Sequence, residues 1–394
     1  MIPLQIHECG QLTTPDLLAA FALLPDVQEV RLSRALTRNP ALAEPVTAIL
    51  RDCLATCGDL RALLLARFAP VDDALLLHGL ERNPSNLRTL HHLNLERCAV
   101  TAAAVSSVLA GCPQLESLHL GLCKRVNLAD VKLDQSCPSL LRLDVSGCAG
   151  YASTSAGSTT TDVVEQKQSA GSLSDAIASR AMRLIAAPAA PAAQVAESKL
   201  ETKSAASTAS AAASKAWQLL LLFPSLTQLD LSCTRLTDVS DELAKLSKLQ
   251  QLSLRGNQLT RLPDAMRDLH ALTRLDVSGN RLVSLPGWIA GFKQLQYLNA
   301  RANKLSAVCR EIGALSRLQT LDLSFCSLRE LPAEISNLHA LKLLDLNYNN
   351  LDRRAVQLPK HLRHPGAEFS DGDLNADSGG EDVPVVKLSY NTPL

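Results

Sequence analysis

Thirteen times along this chain of 394 residues an apolar residue is followed, three and five positions later, by two more. The most regular stretch begins at Leu226-x-x-Leu229-x-Leu231 and restarts at Leu249, Leu272, Leu295, Leu318 and Leu341, each 23 residues after the last. A unit this short cannot bury its apolar residues alone, so successive units have to stack and share one core. That constrains the chain to an α/β solenoid with one short strand per unit. The strands form a single parallel sheet of about 12–13 members.

Within each unit the three apolar positions read as the core side of the strand, because alternate residues of a strand face opposite ways. The third and fifth positions then line the open face, joined by the seventh and eighth. The ninth position is a ladder inside the turn, filled by Asn257, Asn280, Asn303 and Asn349, by Thr234, and by Cys9, Cys98, Cys123, Cys148 and Cys326. Its expected work is to hydrogen-bond backbone left unpaired as the chain leaves the strand. Most of the 11 cysteines therefore read as reduced, buried thiols used as small hydrophobes. Cys57, Cys112 and Cys137 fall three residues before the next unit, where an apolar group closes the arc. Cys53 and Cys57 have helical spacing but no second pair, so no metal site and no disulfide framework is expected.

The first half steps unevenly, from Met1 to Val27, Leu60, Leu90, Leu115 and Leu140, and the extra residues read as helices behind the sheet. Thr14-Pro15-Asp16 has the cap, first-turn proline and acid of a helix start, with Leu17, Phe21 and Leu24 on one face. Thr101 opens a second helix that Gly111-Cys112-Pro113 closes. In the second half short arcs such as Leu262-Pro263-x-x-Met266-x-x-Leu269 and Leu331-Pro332-x-x-Ile335-x-x-Leu338 take their place. From Leu140 to Leu226 the step is 86 residues, one 25-residue unit plus an insertion. Residues 149–213 are Ser/Thr/Gly-rich and then Ala/Pro-rich, and bury too little apolar surface to order themselves. The expected organisation is an array over 1–148, a disordered insertion over 149–213, a second array over 214–359 and an acidic loop over 360–382. Val383-Pro-Val-Val386-Lys-Leu388-Ser-Tyr390-Asn391 restates the strand, so 383–394 reads as a terminal unit.

These motifs resemble those of leucine-rich repeat proteins. Cys112-Pro-Gln-Leu115 through Cys123, echoed from Cys137 to Cys148, is similar to the cysteine-containing repeats of F-box substrate receptors, although no F-box precedes it. The longer steps, from Val27 to Leu60 and on to Leu90, are closer to the ribonuclease-inhibitor type. The 23-residue arcs resemble those of Scribble-like and Ras-suppressor scaffolds. The resemblance implies a horseshoe with a parallel concave sheet. Helices would cover the convex side of the N-terminal half and short arcs that of the C-terminal half.

Composition narrows the partners. With 39 basic and 39 acidic residues there is no net field to draw nucleic acid or an anionic membrane, and at 3% aromatics there is little to stack on bases. No stretch of 18 apolar residues is present for membrane insertion, and Met1-Ile-Pro-Leu-Gln-Ile-His-Glu lacks the form of a signal peptide. A cytoplasmic protein is expected, with cytoskeletal or nuclear placement as alternatives. P-loop, dinucleotide-binding, zinc-protease and serine-elbow motifs are all missing, so neither an enzyme nor a cofactor site is expected.

The expected partner is another protein, held by a scaffold or adaptor that is monomeric or part of a hetero-complex. Arginine and aromatic residues carry most interface energy, which selects Arg255, Arg274, Tyr297, Arg301, Phe325 and Tyr348 on the concave face. A basic group in the first half, Arg31, Arg34, Arg67 and Arg97, is the second candidate. The fifth-position acids Asp230, Asp276, Asp322 and Asp345 read as a solvated sheet face. Two alternatives stand beside this reading. One is a structural part of a cytoskeletal or axonemal assembly acting through 149–213. The other is a regulatory module of a longer signalling protein, suggested by ends without polar caps.

Overall fold

A computed structural model describes residues 3–6, 28–32, 59–67, 71–82, 88–133, 135–150, 214–351 and 385–387, with Thr47, Leu50 and Arg51. The chain divides into two units, residues 1–152 with 212–394, and residues 153–211. All of the second unit lies outside the described residues. So do the Thr14 helix start, Arg34, the acidic segment 360–382 and the cysteines at 9, 53 and 57.

The first unit holds one sheet of 13 strands in strict chain order. It runs from β1 (Pro3–Ile6), β2 (Glu29–Leu32), β3 (Ala62–Leu64) and β4 (His92–Asn94) to β5 (Ser117–His119) and β6 (Arg142–Asp144). It continues through β7 (Gln228–Asp230), β8 (Gln251–Ser253), β9 (Arg274–Asp276), β10 (Tyr297–Asn299), β11 (Thr320–Asp322), β12 (Leu343–Asp345) and β13 (Val385–Lys387). Every pairing is parallel and aligns equal positions of neighbouring units, as Leu252 with Leu275 and Leu275 with Leu298. The long step leaves this register intact, since Leu143 pairs with Leu229. The C-terminal strand pairs as the pattern predicts, with Leu344 beside Val386.

The leucines at positions one, four and six form the core: Leu318, Leu321, Leu323, Leu341, Leu344 and Leu346 are fully buried. Truncating any one to alanine is worth about 2–5 kcal/mol. Behind the first half lie α1 (Asp73–Arg82) and α2 (Ala102–Gly111). Thr101 caps α2 by accepting from Ala103 N at 3.3 Å, while its own hydroxyl donates to Asp73 at 2.6 Å and links the two helix starts. In the second half 3-10 turns replace helices at Asp241–Lys245, Asp264–Asp268, Gly287–Gly291, Arg310–Ala314 and Ala333–Asn337. Pro263, Pro286 and Pro332 precede three of them, where a fixed φ and a missing N–H suit the entry. Met266, Ile289, Ile312 and Ile335 point inward from these arcs.

The ninth-position ladder is as expected and shows why Asn suits it. Asn280 donates to Leu254 O and Val277 O, both at 2.9 Å, and accepts from Leu259 N at 3.0 Å. One amide thus satisfies three backbone groups in two repeats. Cysteine supplies a single donor: Cys98, Cys123 and Cys148 reach Leu65 O, Leu95 O and Leu120 O at 3.3, 2.9 and 3.1 Å. Burial pushes the Cys123 and Cys326 thiols up to about 11 and those of Cys112 and Cys148 up to about 12. The thiolate is the nucleophile, so these sites should resist alkylation at pH 8 in the native protein. Exposed Cys233 should react first among the eight described cysteines. Peptide mapping after a timed iodoacetamide pulse checks this, and early labelling of Cys123 or Cys148 would contradict the ladder assignment.

Candidate protein-binding surface

Each strand of the second half is three residues long, covering positions three to five. Strand alternation therefore places Arg274 and Tyr297 on the open face, but it stops before positions seven and eight. Those belong to a turn built on the fifth residue. Oδ1 of Asp276 accepts from Ser278 N at 2.9 Å, and Asp230, Asn299, Asp322 and Asp345 serve the same N–H in their own repeats at 2.8–3.1 Å. The eighth residue then takes a left-handed backbone and sends its N–H to the next repeat, as Gly256 N to Ser278 O and Phe325 N to Asn347 O, both 2.8 Å. Glycine fills this position at Gly147, Gly256 and Gly279, whereas Arg67, Arg97, Leu122, Cys233, Ala302, Phe325 and Tyr348 hold φ between 53° and 64° without it.

The acidic fifth row is thus more than a solvated sheet face, because Asp144, Asp230, Asp276, Asp322 and Asp345 are the acceptors that shape their own turns. Asn94 does the same for Glu96 N at 3.0 Å. Asp276→Asn should keep the turn and the fold, while Asp276→Ala should lose about 1 kcal/mol. Urea unfolding of the two variants side by side separates the structural bond from the charge.

Of the six residues in the first candidate group, five form two contact sets. Arg274 lies over the Tyr297 ring at 4.2 Å, and Arg301 lies over the Phe325 ring at 4.2 Å. Phe325 in turn stacks on Tyr348 with centroids 4.0 Å apart and planes 20° from parallel. Arg301 also donates to Ser324 Oγ at 3.0 Å. Asn299 stands between the sets, donating to Tyr297 OH at 3.4 Å and accepting from Arg301 N at 3.0 Å. Arg255 is exposed and has no ion-pair or ring partner among the described residues.

The basic group of the first half is internally compensated. Arg67 and Arg97 flank one carboxylate, Glu96 Oε1, at 3.3 and 3.6 Å, and Arg31 pairs with Glu29. The row also includes an exposed apolar residue that the sequence reading passed over, Leu122, which packs over Gly147.

An open depression of about 300 Å³ crosses the sheet from β5 to β10. His119 and Asp144 belong to its lining, with His119 Nδ1 3.6 Å from Asp144 Oδ2, and Ser117 Oγ lies 2.9 Å from His119 Nε2. Ser117 is buried and its N–H is committed to His91 O, so this chain holds the imidazole in place. Burial raises the Asp144 carboxyl, but bonds from His119 and Ser146 outweigh it and leave the group below the usual range. Burial, with the nearby Asp144 and Asp276, keeps Asp230 above that range against the bonds from Ser232.

Residues 224–282 and 317–338 match family models of the leucine-rich repeat. In fold the chain is similar to a leucine-rich repeat protein of Leptospira interrogans, with a TM-score of 0.50 and 18% identity over 84% of this chain and 68% of that one. The chain is a leucine-rich repeat protein. It is also similar in fold to TLR13 in its complex with ssRNA13, at a TM-score of 0.51 and 21% identity, covering 84% of this chain and 37% of that one. An F-box protein of Arabidopsis thaliana is 44% identical over 59 residues, which is 15% of the leucine-rich repeat chain and 18% of the F-box protein. The matched stretch therefore spans less than a fifth of that relative. No described helix of the leucine-rich repeat protein is long and apolar enough to cross a membrane.

Proposed function

We propose that this leucine-rich repeat protein is a non-enzymatic interaction scaffold that holds another protein on its concave face. The contact is centred on Arg274, Tyr297, Arg301, Phe325 and Tyr348, with Arg255 beside them. One observation carries the reading. Phe325 and Tyr348 occupy the left-handed turn position at φ 54° and 56°, a backbone that Arg67, Arg97, Leu122, Cys233 and Ala302 hold in other repeats. What sets these two repeats apart is the side chain that the shared turn carries. Here it places two stacked aromatic rings and a capping guanidinium, only partly buried, at one end of the open sheet. Rings and guanidiniums of this kind supply most of the energy in protein interfaces.

The ladder of free thiols supports a reducing, cytoplasmic setting, since each buried cysteine of the ladder works as a hydrogen-bond donor only while reduced. The test is partner capture with native protein and with a Tyr297→Ala/Phe325→Ala variant whose circular dichroism is unchanged. The variant should lose about 2 kcal/mol of binding energy or more, roughly a thirtyfold weaker Kd. Full affinity in the folded variant would move the contact elsewhere, with Arg31, Arg67 and Arg97 next in line.

A further inference from the structure

We infer that the turn edge of the array, where the strands end, is a docking surface for an anionic membrane. The inference goes beyond the concave-face reading and uses a different side of each repeat. Positions seven to thirteen of the five repeats that carry β7 to β11 hold seven cations and two carboxylates, in a chain whose net charge is zero. One carboxylate, Asp238, is matched by Arg261 at 3.7 Å, and Glu330 is the other. Arg235, Arg281, Lys304 and Arg329 are exposed, and none has an ion-pair partner among the described residues. The edge continues into the first half with Lys124 and Arg125, exposed and likewise without an ion pair there.

The backbone sets these cations in a row. After the buried ninth residue, the tenth donates its N–H to the eleventh residue of the preceding repeat. Arg281 N reaches Leu259 O at 2.8 Å, Lys304 N reaches Leu282 O at 2.9 Å and Ser327 N reaches Leu305 O at 3.0 Å. Leu236, Leu259, Leu282, Leu305 and Leu328 are fully buried, which turns the side chains before and after them outward. Repeats bonded in this way lie about 4.8 Å apart, so Arg235 and Lys304 stand about 14 Å apart on one line. Arg329 follows in the next repeat. Side chains that project the same way from aligned repeats reach a flat surface together.

A second feature selects a bilayer. Among the described residues the exposed large apolar side chains are Leu122 and Val283, and both lie on this edge. Val283 is 58% exposed and follows Arg281 by two residues, while Leu122 precedes Lys124 by two. An aliphatic group beside a cation suits the boundary between headgroups and acyl chains, where the apolar part enters and the charge stays at the headgroups. Single-stranded nucleic acid is held by aromatic rings that its bases stack on, whereas the exposed apolar groups beside these cations are aliphatic. Anionic lipid faces the cytoplasm, the setting proposed above. Attachment by this edge leaves the concave face open to a protein partner.

The experiment sediments the full chain with vesicles of phosphatidylcholine, with and without phosphatidylserine, at low and high salt. Binding should require phosphatidylserine and fall as salt screens the cations. Each cation near an anionic surface strengthens attachment about fivefold, so Arg281→Glu/Lys304→Glu should weaken it at least about 25-fold. Lys248→Glu/Lys293→Glu makes the same change in net charge at exposed positions on the approach to β8 and β10. That control should stay within about twofold of the native protein, because the attraction falls off within a Debye length. Val283→Asp should weaken binding several-fold at an unchanged melting temperature, since the side chain it replaces is exposed. Absence of binding to phosphatidylserine vesicles overturns the inference, as do equal losses in the two double variants. Sedimentation with polyuridylate and not with vesicles would assign the edge to nucleic acid and overturn it as well. Partner capture by folded Arg281→Glu/Lys304→Glu should be intact, so this inference and the concave-face reading fail separately.

Discussion

Asn280→Leu is expected to destabilise the array by about 3 kcal/mol, more than any surface change in the molecule. The side chain is 7% exposed and its amide uses both donors and its acceptor, on Leu254 O, Val277 O and Leu259 N. Leucine matches the volume approximately but can make none of these bonds. Each buried backbone group left unsatisfied costs about 1–3 kcal/mol, and the three losses add incompletely because the turn relaxes. The burial of a larger apolar side chain offsets only part of this. A fall in the urea midpoint at constant slope reads the effect, and an unchanged midpoint would remove Asn280 from its structural role.

Gly313→Val should have the second large effect, for a different reason. A Cβ at Gly313 would lie 2.4 Å from Glu334 O and 2.8 Å from Glu334 Cβ, in the neighbouring arc. The obstruction is backbone and cannot rotate away, so the turns at Arg310–Ala314 and Ala333–Asn337 have to separate. Overpacking of this kind costs about 1–3 kcal/mol, occasionally more, and separation of the arcs sets the expectation at the upper end. Gly291 is the internal control, because its Cβ would approach nothing closer than Arg267 O at 4.0 Å. Gly291→Ala should be neutral or slightly stabilising through the unfolded chain. Equal melting temperatures for the two variants would show that the arcs are not in fixed contact.

Much of the fold was legible because the leucine spacing is a packing constraint. Leu229, Leu252 and Leu275 have to stack, and their register survives even the 86-residue step between β6 and β7. Asn280 was readable for the same reason, since its position follows from where the chain leaves the strand. The turn geometry was not readable. Phe325 and Tyr348 are poor residues for a left-handed backbone, and nothing in their chemistry announces that they hold one. The fifth-row aspartates looked like surface charge because their bond to the seventh N–H depends on that same turn. Two contacts needed neighbouring repeats laid side by side before they appeared. Glu96 sits between Arg67 and Arg97, and His119 bridges Ser117 to an aspartate of the next repeat.

Hydroxyl-radical footprinting of the protein alone and bound to its captured partner tests the concave-face assignment most directly. The aromatic side chains report from both sides of the array. Tyr297, Phe325 and Tyr348 lie at the open sheet and its turns, and Trp288 lies on the arc Gly287–Gly291, bonded to Asp264 at 3.0 Å. Binding should lower the oxidation of Tyr297, Phe325 and Tyr348 several-fold and leave Trp288 unchanged. Protection of Trp288 with the three concave rings unaffected would place the partner on the opposite side and contradict the account.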